Sequence, residues 1–212
     1  MNGMSTTVHT SKTFVQDVCS AMLSTMGNRE KLLAGAKQCL LEKGYARTTA
    51  RDIAAAAGVS LAAIGYHFKT TEALLNAALF EALAEWGEEL RRLLEPDGGT
   101  PAQRFERTWT RVIESLGRQQ GLWSAQFELV TLLEHQPELR RFAAEAQPTA
   151  RPALLELFDG TERDEDTGRK LGTLYQALLA GVAVQWLVNP DHAPSPHDLA
   201  DAIRIVGAEL NE

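Results

Sequence analysis

Arg47, Arg51 and Lys69 border or interrupt a stretch, TTARDIAAAAGVSLAAIGYHF (48–68), in which other hydrogen-bonding side chains are few. Guanidinium and ammonium groups gathered in such a segment suit the holding of polyanions. Catalysis would need different groups. The sequence offers no nucleophile–base pair, phosphate-binding loop or metal-ligand spacing. Asp191, His192, His197 and Asp198 are spaced like no established zinc set, and a solvated turn accounts for them. No catalytic residue, no metal and no cofactor are therefore expected.

The charge distribution agrees with a polyanion partner. The chain of 212 residues carries a net charge of −7. Within 28–72, however, seven Lys and Arg stand against four Asp and Glu, leaving +3, and 73–212 is strongly acidic. One part is suited to polyanions and the other is kept off them. The longest apolar run, 171–188, is interrupted by Thr173, Gln176 and Gln185, so it reads as a buried helix and no membrane association is expected. Residues 1–27 lack a cationic start and make a poor signal peptide; they read as a disordered tail, with Met22 and Met26 as alternative starts. Cys19 and Cys39 make no disulfide framework, and a cytoplasmic location is expected.

The elements that must position the cations read as helices throughout. Leu32, Leu33, Ala36, Cys39 and Leu40 form one face of a helix that Asn28 can cap and Gly44 can end. Thr49, with Asp52 three residues on, opens a short helix whose inner face is Ile53, Ala54 and Ala57. Gly58 breaks it, Ser60 can cap a third helix over about 61–68, and Thr70 can cap a long fourth one reaching about Leu94. Two short helices joined by Gly58-Val59-Ser60 make a helix-turn-helix, and the alanines allow its helices to cross closely. Further helices are expected at about 102–119, 121–136, 138–146, 150–158, 171–188 and 196–210, with 95–101 a turn and 158–168 an acidic surface loop. Pro148 and Pro152 are expected to kink or divide the third and fourth of this group, 138–146 and 150–158. The fold class is all-α.

The run GYARTTARDIAAAAGVSLAAIGYHFKTTEALL (44–75) resembles the N-terminal DNA-binding domain of TetR-family transcriptional regulators. The matching positions are Gly44-Tyr45, Thr49, Ile53-Ala54, Ala57-Gly58-Val59-Ser60, Tyr66-His67-Phe68, Glu72, Leu74 and Leu75. The resemblance implies a DNA-binding domain over 28–75 and a ligand-binding and dimerisation domain over 76–212. A recognition helix in the major groove would present Ser60, Leu61, Ala62 and Ala63 to base edges. Since Leu61, Ala62 and Ala63 can meet thymine methyls but make no bidentate pairs, Arg47 and Arg51 are the candidates for polar readout. Thr48, Thr49, Tyr66, His67, Lys69 and Thr71 are candidates for phosphates. Useful specificity needs two half-sites, which implies a homodimer on a pseudo-palindrome in double-stranded DNA.

The second domain is expected to hold a small-molecule effector, a pocket the resemblance implies. Trp86, Trp109, Trp123, Gln126, Phe127 and Tyr175 are its candidate ligand residues, with Trp186, Glu128 and Gln185 as further lining; each aromatic alone is as readily plain core. The helix 171–188 is apolar nearly all round, so it needs burial on two sides. Ala177, Ala180, Gly181 and Ala183 would admit a second helix closely. With Leu199, Ile203, Val206 and Leu210 it would make a four-helix interface across a two-fold axis. These readings converge on a ligand-responsive dimeric regulator acting as a repressor. The competing readings are an all-α enzyme and a regulator that acts through protein contacts without a ligand.

Overall fold

A computed structural model describes residues 27–94, 99–134 and 136–210. The expected tail, save Gly27, lies outside the described residues, as does most of the expected 95–101 turn. The described residues contain nine α-helices and no strand: α1 (Asn28–Lys43), α2 (Ala50–Ala57), α3 (Ala62–Phe68), α4 (Thr71–Leu93), α5 (Pro101–Arg118), α6 (Gln120–Leu132), α7 (Pro137–Phe158), α8 (Glu165–Val188) and α9 (Pro196–Glu209). A 3-10 turn, Pro190–His192, separates the last two.

The chain divides into two compact units. The first takes Met1–Cys39 and Thr48–Ala78, the second Leu40–Arg47 and Leu79–Glu212. In the first unit, Leu32, Ala36, Ile53, Ala57, Ile64, Leu74 and Leu75 are buried together. Each large aliphatic side chain among them adds roughly 1.5–3 kcal/mol when fully withdrawn from water. The alanine tract serves this core, though not as the sequence suggests. A Cβ on Gly35 of α1 would lie 2.9 Å from the Ala57 nitrogen and 3.1 Å from its Cβ. The close approach that Ala57 permits is therefore to α1. Glycine inside a helix costs about 1 kcal/mol relative to alanine, and here that cost allows the two helices to meet.

Local signals fix most helix ends. Thr49 and Asp52 form a reciprocal capping box on α2, as do Thr100 and Gln103 on α5 and Ser195 and Asp198 on α9. The Thr70 hydroxyl accepts from the Ala73 amide at 3.0 Å. Two expected caps differ. Gly27, rather than Asn28, starts α1: its carbonyl accepts from Lys31 and its amide donates to Glu30 Oε2 at 3.0 Å. Ser60 makes no side-chain cap for α3; Leu61 holds the cap position, and the Ser60 carbonyl accepts from Ala63 at 3.0 Å.

In the second unit, α7 is one helix where two were expected. It runs through Pro148 and Pro152, with the Thr149 hydroxyl donating to the Ala146 carbonyl at 2.7 Å. Packing supplies what the prolines remove: α8 lies so close that a Cβ on Gly172 would come within 2.8 Å of the Arg151 carbonyl. The acidic 158–168 segment is also shorter as a loop than expected. Asp164 caps α8 through the Thr167 amide at 3.0 Å, so 165–168 are its first turn. Arg163 pairs with Asp159 at 2.7 Å, which holds the Asp159 carboxyl below its ordinary pKa.

Among the described residues, α8 is the one helix long and apolar enough to cross a membrane. Its inner face is Gly172, Leu179, Val182 and Ala183. Its outer face leaves Leu174, Ala177, Gly181, Val184 and Val188 exposed, a stripe spaced by three and four. On α9, which packs against α5, Ile203, Val206 and Leu210 are exposed at the same spacing.

Candidate nucleic-acid interface

Gly58 ends α2 in the left-handed conformation, at φ 63° and ψ 32°. The amide of Val59 donates to Ala54 O at 3.1 Å and that of Gly58 to Ala55 O at 3.2 Å, a Schellman closure of the helix. Nothing lies within 4 Å of a Cβ built on Gly58, so backbone conformation and not space calls for glycine. The turn delivers the chain to α3, which buries Ile64 and turns its other face outward. Leu61, Ala62, Gly65 and Tyr66 are exposed, Tyr66 to 85%. Ser60, Arg51 and Lys69 are exposed, while Ala63, His67 and Thr71 are half-buried. Tyr66 and His67 meet edge to face with ring centroids 4.8 Å apart. The Arg29 guanidinium lies 5.2 Å from the centroid of Phe68, a cation–π contact at the end of α3 that the sequence did not announce.

Two of the expected phosphate contacts are engaged elsewhere. Thr48 is buried, and its hydroxyl donates to the Cys39 carbonyl at 3.2 Å. Its role is to tie the start of α2 to α1, which corrects the expectation that it reaches outward. Thr49 is exposed, but its hydroxyl donates to Asp52 Oδ2 at 2.7 Å within the capping box. Arg47, in the second unit, is exposed, with Nε donating to the Lys43 carbonyl at 2.7 Å.

Lys69 carries a backbone signal invisible in the sequence. It ends α3 at φ 71° and is the one positive-φ residue other than glycine among those described. A side chain held there costs of order 1–3 kcal/mol. Glycine would relieve it.

The five aromatic candidates for the effector site fall into two groups within the second unit. Trp86 and Trp123 meet edge to face at 5.0 Å, and Phe127 lies 6.4 Å from Trp123. Trp109 packs 5.0 Å from Phe158, which stacks on Tyr175 at 4.9 Å. The Trp86 indole donates to Ser115 Oγ at 3.0 Å. By contrast, Trp109 Nε1, Trp123 Nε1 and Gln126 Oε1 are buried with no hydrogen-bond partner among the described residues. Burial without a partner costs about 1–3 kcal/mol for each such group. Desolvation raises the Tyr175 phenol above its ordinary pKa. The two acidic and amide candidates behave otherwise: Gln185 is exposed, and Glu128 Oε2 accepts from the Ala46 amide at 2.9 Å.

Residues 32–78 match the family model described as bacterial regulatory proteins, tetR family. The N-terminal domain is of the TetR family. The chain is 30% identical over 91 residues to the HTH-type transcriptional repressor DhaR of Mycobacterium sp. (strain GP1), a match covering 43% of this chain and 46% of that one. The match thus spans less than half the length of that curated relative. The solved protein SCO7518 of Streptomyces coelicolor A3(2) is 27% identical, with a TM-score of 0.61 over 83% of this chain and 95% of that one. The multidrug binding protein EbrR, solved with imidazole, shares the fold at 23% identity and a TM-score of 0.61, over 84% and 94% of the two chains.

The TetR-type turn makes the Lys69 signal testable. Lys69→Gly is expected to raise the unfolding midpoint slightly, since strain of order 1 kcal/mol is released. The same variant is expected to bind duplex DNA more weakly, with a salt dependence shallower by about one ion. Thermal unfolding and DNA titrations at several salt concentrations check both halves.

Proposed function

We propose that the chain is a dimeric DNA-binding repressor, released from a pseudo-palindromic operator by a small-molecule effector in the cytoplasm. The observation that carries the reading is the outward face of α3, displayed by a left-handed glycine turn and accompanied by exposed Arg51 and Lys69. Leu61 and Ala62 offer methyl contacts, Arg51 can donate in pairs to a base, and Lys69 supplies charge to phosphate. Repression as the sign of control follows the name of the Mycobacterium relative. Selection from a random-sequence duplex pool tests the reading. An inverted repeat should be recovered, bound with affinity that falls steeply as salt rises. Arg51→Ala should shift the recovered sequence, whereas Lys69→Ala should weaken all sequences alike. Recovery of no duplex would end the proposal.

The dimer reading rests on α8 and α9. Val188 and Leu210 are 80% and 81% exposed in the single chain, at the ends of two apolar stripes. A surface that apolar marks a contact site. Gly181, with nothing within 4 Å of a built Cβ, leaves room for a partner helix. Gly181→Glu and Ile203→Glu are expected to give monomers or aggregates with weakened operator binding. Sedimentation of a well-folded wild-type monomer at micromolar concentration would overturn this.

The effector reading rests on the unpartnered polar atoms. Trp123 and Gln126 lie three residues apart on α6, beside Phe127 and Trp86. A complementary molecule has an apolar or aromatic body, an acceptor for an indole N–H and a donor for the Gln126 carbonyl. Gln126→Leu is expected to stabilise the ligand-free protein by about 1 kcal/mol, because a buried orphan acceptor is removed. In a thermal-shift screen of neutral aromatic amides and alcohols, the same substitution should erase the stabilisation that wild type gains from its best compound.

A further inference from the structure

Glu128 sits on α6 two residues from Gln126 and one from Phe127, yet its carboxylate is turned to another task. Oε2 accepts the Ala46 amide at 2.9 Å, in the turn that follows α1. Gly44 opens that turn at φ 84°, and a Cβ there would lie 2.7 Å from Glu128 Oε1. The carboxylate therefore lies against a turn whose first residue is glycine for its conformation. A second close approach joins the same two elements. A Cβ on Gly121, at the start of α6, would come 2.3 Å from the Leu41 carbonyl in the last turn of α1. The helix α6 thus grips the end of α1 at Gly121 and the turn beyond it at Glu128, about two turns of helix apart. Arg47, exposed, is the next residue after Ala46.

We propose that Glu128 is a positioning residue, through which α6 sets the conformation of the turn that carries Arg47 for DNA binding. The proposal rests on the regulator reading and adds the device by which α6, the helix of Trp123 and Gln126, reports its position. A shift of α6 that accommodates an effector withdraws the acceptor from Ala46, and the turn loses one of the hydrogen bonds that order it. An acceptor at this position is what matters, since the donor is a neutral backbone amide. Glu128→Gln keeps such an oxygen and Glu128→Ala does not.

Two measurements on the full chain test this. Hydrogen exchange at the Ala46 amide needs neither DNA nor effector. It should be slow in wild type and Glu128→Gln and at least about tenfold faster in Glu128→Ala. Titration with the duplex selected by wild type should show Glu128→Ala binding about fivefold more weakly and Glu128→Gln near wild type, as expected for loss of one ordinary hydrogen bond. The Arg47→Ala variant should lose its sensitivity to Glu128→Ala, because the positioned side chain is gone. Unchanged exchange at Ala46 in Glu128→Ala overturns the latch whatever the protein does with DNA. Faster exchange with unchanged duplex affinity overturns the positioning role alone. If wild type selects no duplex, the regulator reading fails, and the exchange result still decides the latch.

Discussion

The left-handed backbone at Gly58 is the constraint on which the presentation of α3 depends. A helix of eight residues cannot hold itself together in water. What stabilises α2 is a capping box at one end, a Schellman closure at the other and Ile53, Ala54 and Ala57 buried between them. The closure uses the amides of Gly58 and Val59, and only a residue at ease at positive φ can supply it. From that point the direction of the chain is fixed, and Ile64 is the single buried side chain of α3. Most of the remaining surface of α3 faces outward because so little of it is needed for the core.

Small residues perform three separate tasks in this protein. Ala57 meets Gly35 where α1 and α2 approach, Gly121 meets the Leu41 carbonyl, and Gly172 meets the Arg151 carbonyl. In each, removal of side chain lets backbone touch backbone. Gly58 and Gly44 instead serve conformation. Gly65 and Gly181 have open space beside them. These last two lie on the surfaces proposed to meet DNA and a partner chain, where a close approach would come from another molecule.

Much of the architecture was legible because it is written in short-range chemistry. Thr49 with Asp52, Gly44, Gly58 and Thr70 announce helix ends that the structure contains. The alanine tract was legible as a close crossing, but its partner was not, because Gly35 lies in a stretch whose pattern reads as an ordinary helical face. A glycine in mid-helix, at a cost near 1 kcal/mol, was the available signal. The prolines of α7 misled for the opposite reason: tertiary packing against Gly172 overrides a local penalty. Thr48 was assigned outward from its motif position, whereas its burial depends on the Cys39 carbonyl nine residues earlier. The strain at Lys69 and the link from Glu128 to Ala46 depend on φ and on chain segments 82 residues apart, neither of which periodicity records.

Two kinds of unmet need remain in the second unit, and they call for different partners. The stripes on α8 and α9 are apolar and outward, and water contacts them at a cost proportional to area. A non-directional surface of that kind is met by another such surface, which in the proposed dimer an identical chain would supply across a two-fold axis. Trp109 Nε1, Trp123 Nε1 and Gln126 Oε1 are polar and inward. Their cost is directional, and only a group with a matching lone pair or proton can relieve it. On the proposed reading the two deficits separate the roles within one helical unit: a copy of the chain would cover the exposed apolar area, and a ligand would meet the buried unpaired polarity.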